Sequence, residues 1–375
     1  MQVLVVNAGS SSLKMRVLDD RDEVVGSLDV GLPGPGGFEA ALGGFLEQHP
    51  RVGAAGHRIV HGGAHFTEPV LLDAGAETAL AALADLAPLH NPPGLAAVKA
   101  LEALRPGLPQ VACFDTAFHA HLPEVARTYA LPRSWRERWD LRRYGFHGLS
   151  HSWASRRAGA LLGRSQEELR MVTAHLGAGC SLAAVAFGRS VDTTMGFTPL
   201  EGLVMATRSG SVDPGILLWV LRRGGLTADD VEDALEHASG VYGLSGHADL
   251  RQVMAAADAG EPDARLAYAV FAYRIRTAVA AMVAAMEGLD ALVFTGGAGE
   301  ASSRLRADVC GGLGFLGIDA PSAGGPGDGG DAVVSAPGTW PAVVVVRARE
   351  DLEIARHVRE VLDRFDRSPG GPVAG

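Results

Sequence analysis

The sequence is short of lysine, cysteine and aromatic side chains, and these shortages limit the classes of protein that it can encode. Its 375 residues include three cysteines and 6% aromatic residues, and the formal net charge is −10 at pH 7. Nucleic acids and anionic membranes bind basic surfaces, so the acidic balance argues against both as partners. The cysteines, Cys113, Cys180 and Cys310, are too far apart and too few for a disulfide framework, which favours a reducing, cytoplasmic location.

Hydrophobic runs that could cross a membrane are also scarce. The longest helical one, LAYAVFAYRIRTAVAAMVAAM, contains Arg274 and Arg276, so we predict a buried helix or a subunit interface. The apolar run at residues 2–6 is too short for the hydrophobic region of a signal peptide. Hydrophobic residues still make up 47% of the chain, and its length suggests two domains with substantial cores.

A turn of small residues near the N-terminus contains the first of only two lysines. VLVVNAGSSSLKMRV, residues 3–17, has two β-rich runs around a Gly/Ser turn, which predicts a hairpin with Lys14 in its second strand. RMVTAHLGAGCSLAAVAFG, residues 170–188, repeats this arrangement and suggests a duplicated domain. Predicted strands and helices alternate elsewhere, which indicates the α/β class. The last helix is predicted to bury Leu352, Ala355, Val358, Leu362 and Phe365.

Three glycine-rich segments follow predicted strands: AGSSS, GAG and TGGAGE. Without bulky side chains, backbone N–H groups can converge on a phosphate, and serine hydroxyls add further donors. GSSSLK lacks the spacing of a P-loop and returns into a strand, and no GxGxxG opens a helix after the first strand. The segments therefore predict phosphate contacts of a kind different from both of those motifs.

Eight short strings occur in an order that resembles the acetate kinase family, within the superfamily of acetate and sugar kinases, heat-shock chaperones and actin: NAGSSSLK, GHRIVHGG, APLHNPPG, FDTAFH, YGFHGLSH, HLGAGCS, MGFTPLEGLVMATRSG and TGGAGE. The likeness spans residues 3–357. It implies two duplicated actin-like (ribonuclease H-like) domains with a central cleft, formed by residues 1–119 plus 351–375 and by residues 120–350. It also implies a homodimer that reversibly transfers the ATP γ-phosphoryl group to acetate by direct in-line displacement, giving acetyl phosphate and ADP.

The resemblance also implies the catalytic residues. A carboxylate that approaches an anionic phosphoryl group needs positive charge and alignment, and arginine supplies both through bidentate pairing. The family positions are Arg58 for the carboxylate, Arg208 and His147 for the phosphoryl group, and Asp115 to orient an arginine. Both arginines lie in apolar, glycine-rich strings with few acidic residues nearby in the sequence, which is unusual for surface arginines.

Other site residues follow from the resemblance according to their roles. An apolar pocket for the acyl methyl group is formed by Val60, Leu89, Phe146 and Pro199. The nucleotide contacts Ser10, Ser12, Lys14, His175, Gly177, Gly179, Asp249, Arg251, Gly296, Gly297 and Gly299. Mg²⁺, or Mn²⁺ in its place, is held by Asn7 and Glu350.

The chain departs from the family pattern mainly where the nucleotide binds. Ala178 and Ala301 stand where the family usually has asparagine, and ARED replaces the usual TNEE. Two alternatives therefore stay open: a kinase for propionate or another short-chain acid, and a non-catalytic regulatory homologue that binds nucleotide or acyl phosphate. Loss of two amide side chains predicts weak discrimination among nucleotide bases.

Overall fold

The computed structural model describes residues 1–9, 12–32, 34, 37–83, 91–321 and 330–367. These residues belong to two compact units, of which the first is Met1–Ala120 with the segment that begins at Arg349, and the second is His121–Ala348. In the described part of the chain, each unit has a six-stranded mixed sheet with packed helices. The predicted α/β class and the two actin-like domains are confirmed.

The sheet of the first unit combines an antiparallel meander with parallel strands. Its strands are β1 (Gln2–Ala8), β2 (Ser12–Leu18), β3 (Val24–Gly31), β4 (Val52–Ile59), β5 (Val70–Leu71) and β6 (Gln110–Phe114). The order is β3-β2-β1-β4-β6-β5, with β4 parallel to β1 and to β6, and β5 antiparallel at the edge. The helices of this unit are α1 (Gly37–Gln48), α2 (Ala74–Ala81), α3 (Asn91–Leu104) and, at the end of the chain, α14 (Glu350–Asp366).

Helices cover both faces of this sheet, which explains its continuous apolar strands. All four residues of the VLVV run in β1 are buried, as expected for a strand with no solvent-facing side. Helices α1 and α3 pack on one face, and α14 packs against β1, β4 and β6 on the other. A Cβ atom at Gly56 would lie 2.4 Å from Ile354 and 2.7 Å from Val358, so α14 approaches β4 this closely only because residue 56 is glycine.

The buried face of α14 differs from the prediction. Ala355 and Val358 are buried as expected, but Ile354 and Val361 complete the face, whereas Phe365 is 44% exposed. The helix is rotated on the sheet, and its last turn extends past the packed side chains. The predicted face is therefore wrong at Leu352, Leu362 and Phe365, which are half-buried or exposed.

The second unit repeats the topology of the first. Its strands are β7 (Arg170–Leu176), β8 (Cys180–Ala186), β9 (Arg189–Thr193), β10 (Ala291–Thr295), β11 (Ala332–Val333) and β12 (Ala342–Val345). The meander β9-β8-β7 is followed by parallel β10 and β12 and by the antiparallel edge strand β11. This correspondence, strand by strand, confirms the predicted duplication. The helices are α4 (Glu124–Arg127), α5 (Arg133–Trp139), α6 (Gly148–Leu161), α7 (Pro214–Arg223), α8 (Ala228–His237), α9 (Gly240–Ser245), α10 (Leu250–Asp258), α11 (Pro262–Met286), α12 (Gly296–Ala301) and α13 (Ser303–Gly311).

The long apolar segment of the sequence forms α11. By length and hydropathy alone this helix could cross a membrane. Its buried side chains recur every three or four residues, from Ala264 and Tyr268 to Met286, and the helix packs against β8, α9, α10 and α13. Such a stripe is typical of a core helix, which agrees with the predicted buried helix.

Candidate active site

The strand ends of the first unit and the start of α14 bring three polar side chains around Arg58. Its Nε and Nη2 donate to the two carboxylate oxygens of Asp115 at 3.0 and 2.5 Å, and its Nη1 donates to Asn7 Oδ1 at 3.3 Å. A carboxylate oxygen of Glu350 lies 3.8 Å from Arg58 Nε. Burial lowers the pKa of the guanidinium, but the charges of Asp115 and Glu350 outweigh this effect and raise the pKa above its usual value. Arg58 is therefore a permanent cation with fixed orientation.

The topology of the sheet explains why these residues meet. Asn7 lies near the end of β1, Arg58 near the end of β4, and Asp115 directly after β6. The three strands are parallel neighbours, so their carboxyl ends reach the same edge of the sheet. Glu350 is the first residue of α14, which crosses these strands.

The hairpin of the first unit places its lysine beside this cluster. Lys14 is the antiparallel partner of Asn7 and is exposed. The carbonyl oxygen of Ser12 accepts from Gly9 N at 2.8 Å and closes the turn. Val60, two residues after Arg58, is buried at 7% exposure. Ser10 and Leu89 lie outside the described residues.

In the second unit, two histidines lie close together, one near the end of β7 and one at the start of α6. His147 precedes α6 in the left-handed conformation (φ 56°), and its Nδ1 is 2.8 Å from Ser181 Oγ. The ring centroids of His147 and His175 are 4.4 Å apart, and His175 Nδ1 is 2.7 Å from Ser150 Oγ. Phe146, directly before His147, is buried.

Arg208 and His147 approach each other at Gly179. A methyl group at residue 179 would lie 3.2 Å from His147 Cε1, 3.3 Å from its Nε2 and 3.7 Å from Arg208 Nη1. Arg208 Nε is paired with a carboxylate oxygen of Glu236 at 2.7 Å. Each arginine thus pairs with an acid from an element distant in the sequence, Arg58 with Asp115 and Arg208 with Glu236.

The loop that carries Arg208 is anchored to the end of α8. Thr207 Oγ1 donates to the carbonyl oxygen of Glu236 at 2.8 Å, and Ser209 N donates to that of Leu235 at 3.0 Å. Glu236 thus has a double effect: its backbone holds the loop, and its side chain holds the guanidinium. Glu236 was not found from the sequence, and no spacing or motif pointed to it.

The two glycine-rich segments of the second unit are neighbours. Gly177 N donates to Gly179 O at 3.0 Å in the turn between β7 and β8. Gly296 (φ 77°) starts α12 directly after β10, and a Cβ atom there would lie 2.9 Å from the backbone of Leu176. A side chain at residue 296 would therefore separate the two segments. Gly297 and Gly299 follow within α12.

Pro199 lies in a loop held by a carboxylate. Arg143 Nη2 donates to Glu201 Oε1 at 2.9 Å, and the Tyr129 hydroxyl donates to Glu201 Oε2. The same hydroxyl accepts from Phe197 N at 3.0 Å. The loop around Pro199 is therefore tied to two side chains outside it.

Asp249 and Arg251 are paired with each other rather than drawn into either cluster. Their side chains form a 2.6 Å ion pair, and Arg251 is 88% exposed. Asp249 also caps α10 by accepting from Arg251 N at 2.9 Å. This is a local surface arrangement that an aspartate at a helix start commonly makes.

Comparisons with known proteins find relatives that match most of this chain. The model of the Acetokinase family matches residues 42–356. The acetate kinase of a Synechococcus species is 47% identical over 321 residues, which cover 85% of this chain and 79% of that protein. The crystal structure of Porphyromonas gingivalis acetate kinase matches with a TM-score of 0.89 and 36% identity over 96% of this chain and 99% of that one. A propionate kinase from Francisella tularensis subsp. tularensis SCHU S4 matches with a TM-score of 0.88 and 33% identity over the same shares. The chain therefore belongs to the acetokinase family.

Proposed function

We propose that this protein transfers the γ-phosphoryl group of ATP to acetate reversibly, giving acetyl phosphate and ADP by direct in-line displacement. The observation that carries the proposal is the approach of His147 and Arg208 at Gly179, beside glycine-rich turns. Phosphoryl transfer needs positive charge and hydrogen-bond donors around the equatorial oxygens, and it needs little covalent chemistry from the protein. The acetate kinases among its relatives support acetate as the acceptor.

In the first unit, Arg58 binds the carboxylate of the acceptor. An ionised carboxylate is already a nucleophile, so no general base is required. Asp115 is a positioning residue, because it holds two of the guanidinium nitrogens and fixes the direction of the third. Neutralisation of the acceptor by Arg58 reduces its repulsion from the phosphoryl group.

In the second unit, Arg208 and His147 bind the moving phosphoryl group. Glu236 engages Arg208 through Nε, and Nη1 of the guanidinium lies 3.7 Å from the Cβ position of Gly179. Charge that develops on the equatorial oxygens is stabilised by donors that are already oriented. The backbone amides at Gly177 and Gly297 are assigned to the nucleotide phosphates.

The side chains around Arg58 fit Mg²⁺ or Mn²⁺ that arrives with the nucleotide. Across the described ranges, no group of three or more His, Cys, Asp and Glu side chains forms a ready metal site. Mg²⁺ commonly keeps several waters and binds one or two protein oxygens together with substrate phosphates. Asn7 Oδ1 and the Glu350 carboxylate are such oxygens, and we assign them to the metal. When bound, the metal would neutralise phosphate charge.

The acyl contacts are assigned separately in each unit: Val60, with Leu89 from the sequence, in the first, and Phe146 and Pro199 in the second. An apolar pocket discriminates by only about 1–3 kcal/mol per methylene. Propionate is therefore a second substrate in this proposal, and the similarity to a propionate kinase favours it.

Nucleotides are held mainly by their phosphates in this proposal. Ala178 and Ala301 offer no side-chain hydrogen bond to a base or ribose. The ion pair between Asp249 and Arg251 competes with any contact that either side chain could make to the base or ribose. We therefore expect little preference among ATP, GTP and inosine triphosphate.

The proposed assembly is a homodimer in the cytoplasm. Helix α7 has no buried side chain within the described part of the chain, and it exposes Ile216, Leu218 and Trp219 by 52–63%. Large apolar side chains exposed together on one helix are typical of an interaction surface, and we assign this helix to contact with a second copy. The three cysteines are buried and unpaired, in keeping with a reducing compartment. Sedimentation of a Trp219→Asp variant tests the assembly, since a dimer formed elsewhere would be unaffected.

Trapping of acyl phosphate by hydroxylamine tests the reaction. Purified protein with ATP, Mg²⁺ and acetate should give acetyl hydroxamate, and Arg208→Ala should lower kcat by about 10³-fold without loss of fold. Arg133→Ala is the matched control, because the Arg133 side chain is 83% exposed and forms a surface ion pair with Glu137, one turn further along the same helix. A wild-type protein that gives no hydroxamate with acetate or propionate would leave the non-catalytic alternative.

A further inference from the structure

A chain of hydrogen bonds runs from His147 into the interior of the second unit. His147 Nδ1 is 2.8 Å from Ser181 Oγ, and Ser181 Oγ is 2.8 Å from His151 Nε2. His151 Nδ1 is 2.8 Å from Thr173 Oγ1, which reaches the carbonyl oxygen of Ala183 at 3.5 Å. The three residues behind His147, which we call the relay residues, are Ser181, His151 and Thr173, and all are 0% exposed.

The last acceptor of this chain determines the direction of every bond in it. The carbonyl oxygen of Ala183 can only accept, so Thr173 gives its hydroxyl proton to it and accepts from His151 Nδ1–H. Neutral His151 then has an unprotonated Nε2, which accepts the proton of Ser181. Ser181 in turn accepts from His147 Nδ1–H. The opposite direction would leave the contact between Thr173 and Ala183 without a proton, so only one direction uses all four contacts.

We propose that the relay residues are positioning residues that fix the tautomer of His147, with the proton held on Nδ1. In that tautomer, Nε2 donates to a phosphoryl oxygen only after the ring takes up a second proton. His147 therefore acts as an imidazolium in the reaction. The role of the His147 imidazolium in catalysis rests on the proposed function, whereas the assignment of the Nδ1–H tautomer does not.

The surroundings of His147 decide when it becomes charged. His151 faces it from α6, His175 from β7 and Ser181 from β8. Arg208 meets the Nε2 side at Gly179 and opposes a second positive charge there, and its pairing with Glu236 offsets part of this effect. A phosphoryl group brings negative charge to the same position, so His147 gains its proton together with the substrate.

Thr173→Val is the decisive variant. Valine has nearly the shape of threonine. In the series of hydrogen bonds, two residues, His151 and Ser181, lie between Thr173 and His147. Removal of its hydroxyl takes away the anchor at Ala183 without altering any contact of His147. Ser181→Ala removes the direct partner, and Ser155→Ala is the control, because it deletes another buried hydroxyl, one that donates to Ser152 O at 3.0 Å.

The tautomer is read by NMR of the full-length protein with ¹⁵N-labelled histidine, with His147 assigned from the spectrum of His147→Gln. We expect the Nδ1–H form in the wild type and a shift toward the Nε2–H form in Thr173→Val and Ser181→Ala. In hydroxamate assays, kcat of both variants should fall about ten- to a hundredfold. Their KM values should stay within about twofold, and Ser155→Ala should match the wild type in both measurements.

Two results would overturn the relay: an Nε2–H tautomer in the wild type, or a Thr173→Val spectrum in which His147 is unchanged. Thr173→Val decides the matter if Ser181→Ala does not fold. A wild-type protein that forms no acyl phosphate, yet has the Nδ1–H tautomer and shows the shift in Thr173→Val, would refute the proposed function and leave the relay standing.

Discussion

A methyl group added at Gly179 would occupy the place where His147 and Arg208 meet. The new carbon would lie 3.2 Å from His147 Cε1 and 3.3 Å from Nε2, closer than most carbon contacts in proteins, so the ring must move by a few tenths of an ångström. Arg208 Nη1, at 3.7 Å, would be in ordinary contact with it. The backbone at Gly179 is not in the left-handed region, so alanine is conformationally allowed there.

The expected effect of Gly179→Ala is therefore on catalysis rather than on folding. Misplacement of a catalytic group by 1 Å costs about a hundredfold in rate. A smaller shift of His147, together with a methyl group in the space of the phosphoryl oxygens, should lower kcat by about ten- to a hundredfold. The free energy of unfolding should change by less than about 1 kcal/mol.

Hydroxamate assays and urea unfolding measure the two effects separately. Gly44→Ala is the matched control, because Gly44 lies in α1 and a methyl group there would meet nothing within 4 Å. It should stabilise the protein by about 0.5–1 kcal/mol and leave kcat unchanged. If Gly179→Ala keeps kcat within about twofold of wild type, the reacting atoms do not lie at Gly179 and the assigned roles of His147 and Arg208 are wrong.

Three further predictions concern the ion pair between Glu236 and Arg208 and the buried side chains of His57 and Cys180. Glu236→Gln removes the charge that holds Arg208, so kcat should fall about tenfold; an unchanged kcat would mean that Arg208 needs no acidic partner. Burial lowers the pKa of His57 to about 4, an effect that its hydrogen bond to Gln110 reduces only in part. Because the unfolded chain then binds a proton more readily than the folded protein, stability should fall as pH drops below the ordinary pKa of histidine. The free energy of unfolding, measured with urea, should decrease by about 2 kcal/mol between about pH 7 and pH 5. The His57→Gln variant should not show this decrease, and an equal pH dependence of the two proteins would contradict the prediction. Burial raises the pKa of Cys180 to about 12, so at about pH 8 its thiol should react with a disulfide reagent only after denaturant is added; rapid labelling of the native protein would show that it is accessible.

Local patterns in the sequence were enough to predict much of the fold. The runs around AGSSS and GAG form hairpins, and the prolines of NPPG lie in the first turn of α3. Asp115 could be placed just past a strand because the apolar run QVACF ends at that point. These features depend on the propensities of neighbouring residues, which act over a few positions along the chain.

The face of a helix that becomes buried depends on more than its own periodicity. In α14 the predicted stripe was displaced, because Gly56 on β4 admits Ile354 and Val358 at close range. Periodicity gives the spacing of a buried stripe, but the surface of the sheet selects which stripe it is.

The partners of the charged residues were decided by tertiary structure. The sequence by itself identified Arg58, Arg208 and His147 through the strings that contain them, and it determined the strands and turns that present them. Asp115 reaches Arg58 because β4 and β6 are neighbours, and Glu236 reaches Arg208 because α8 ends beside its loop. Strand order and helix packing are set by the burial of the whole core, to which every element contributes. A pairing across many residues of chain therefore has no local signal, since the free energy that selects it is gained only when the complete unit is packed.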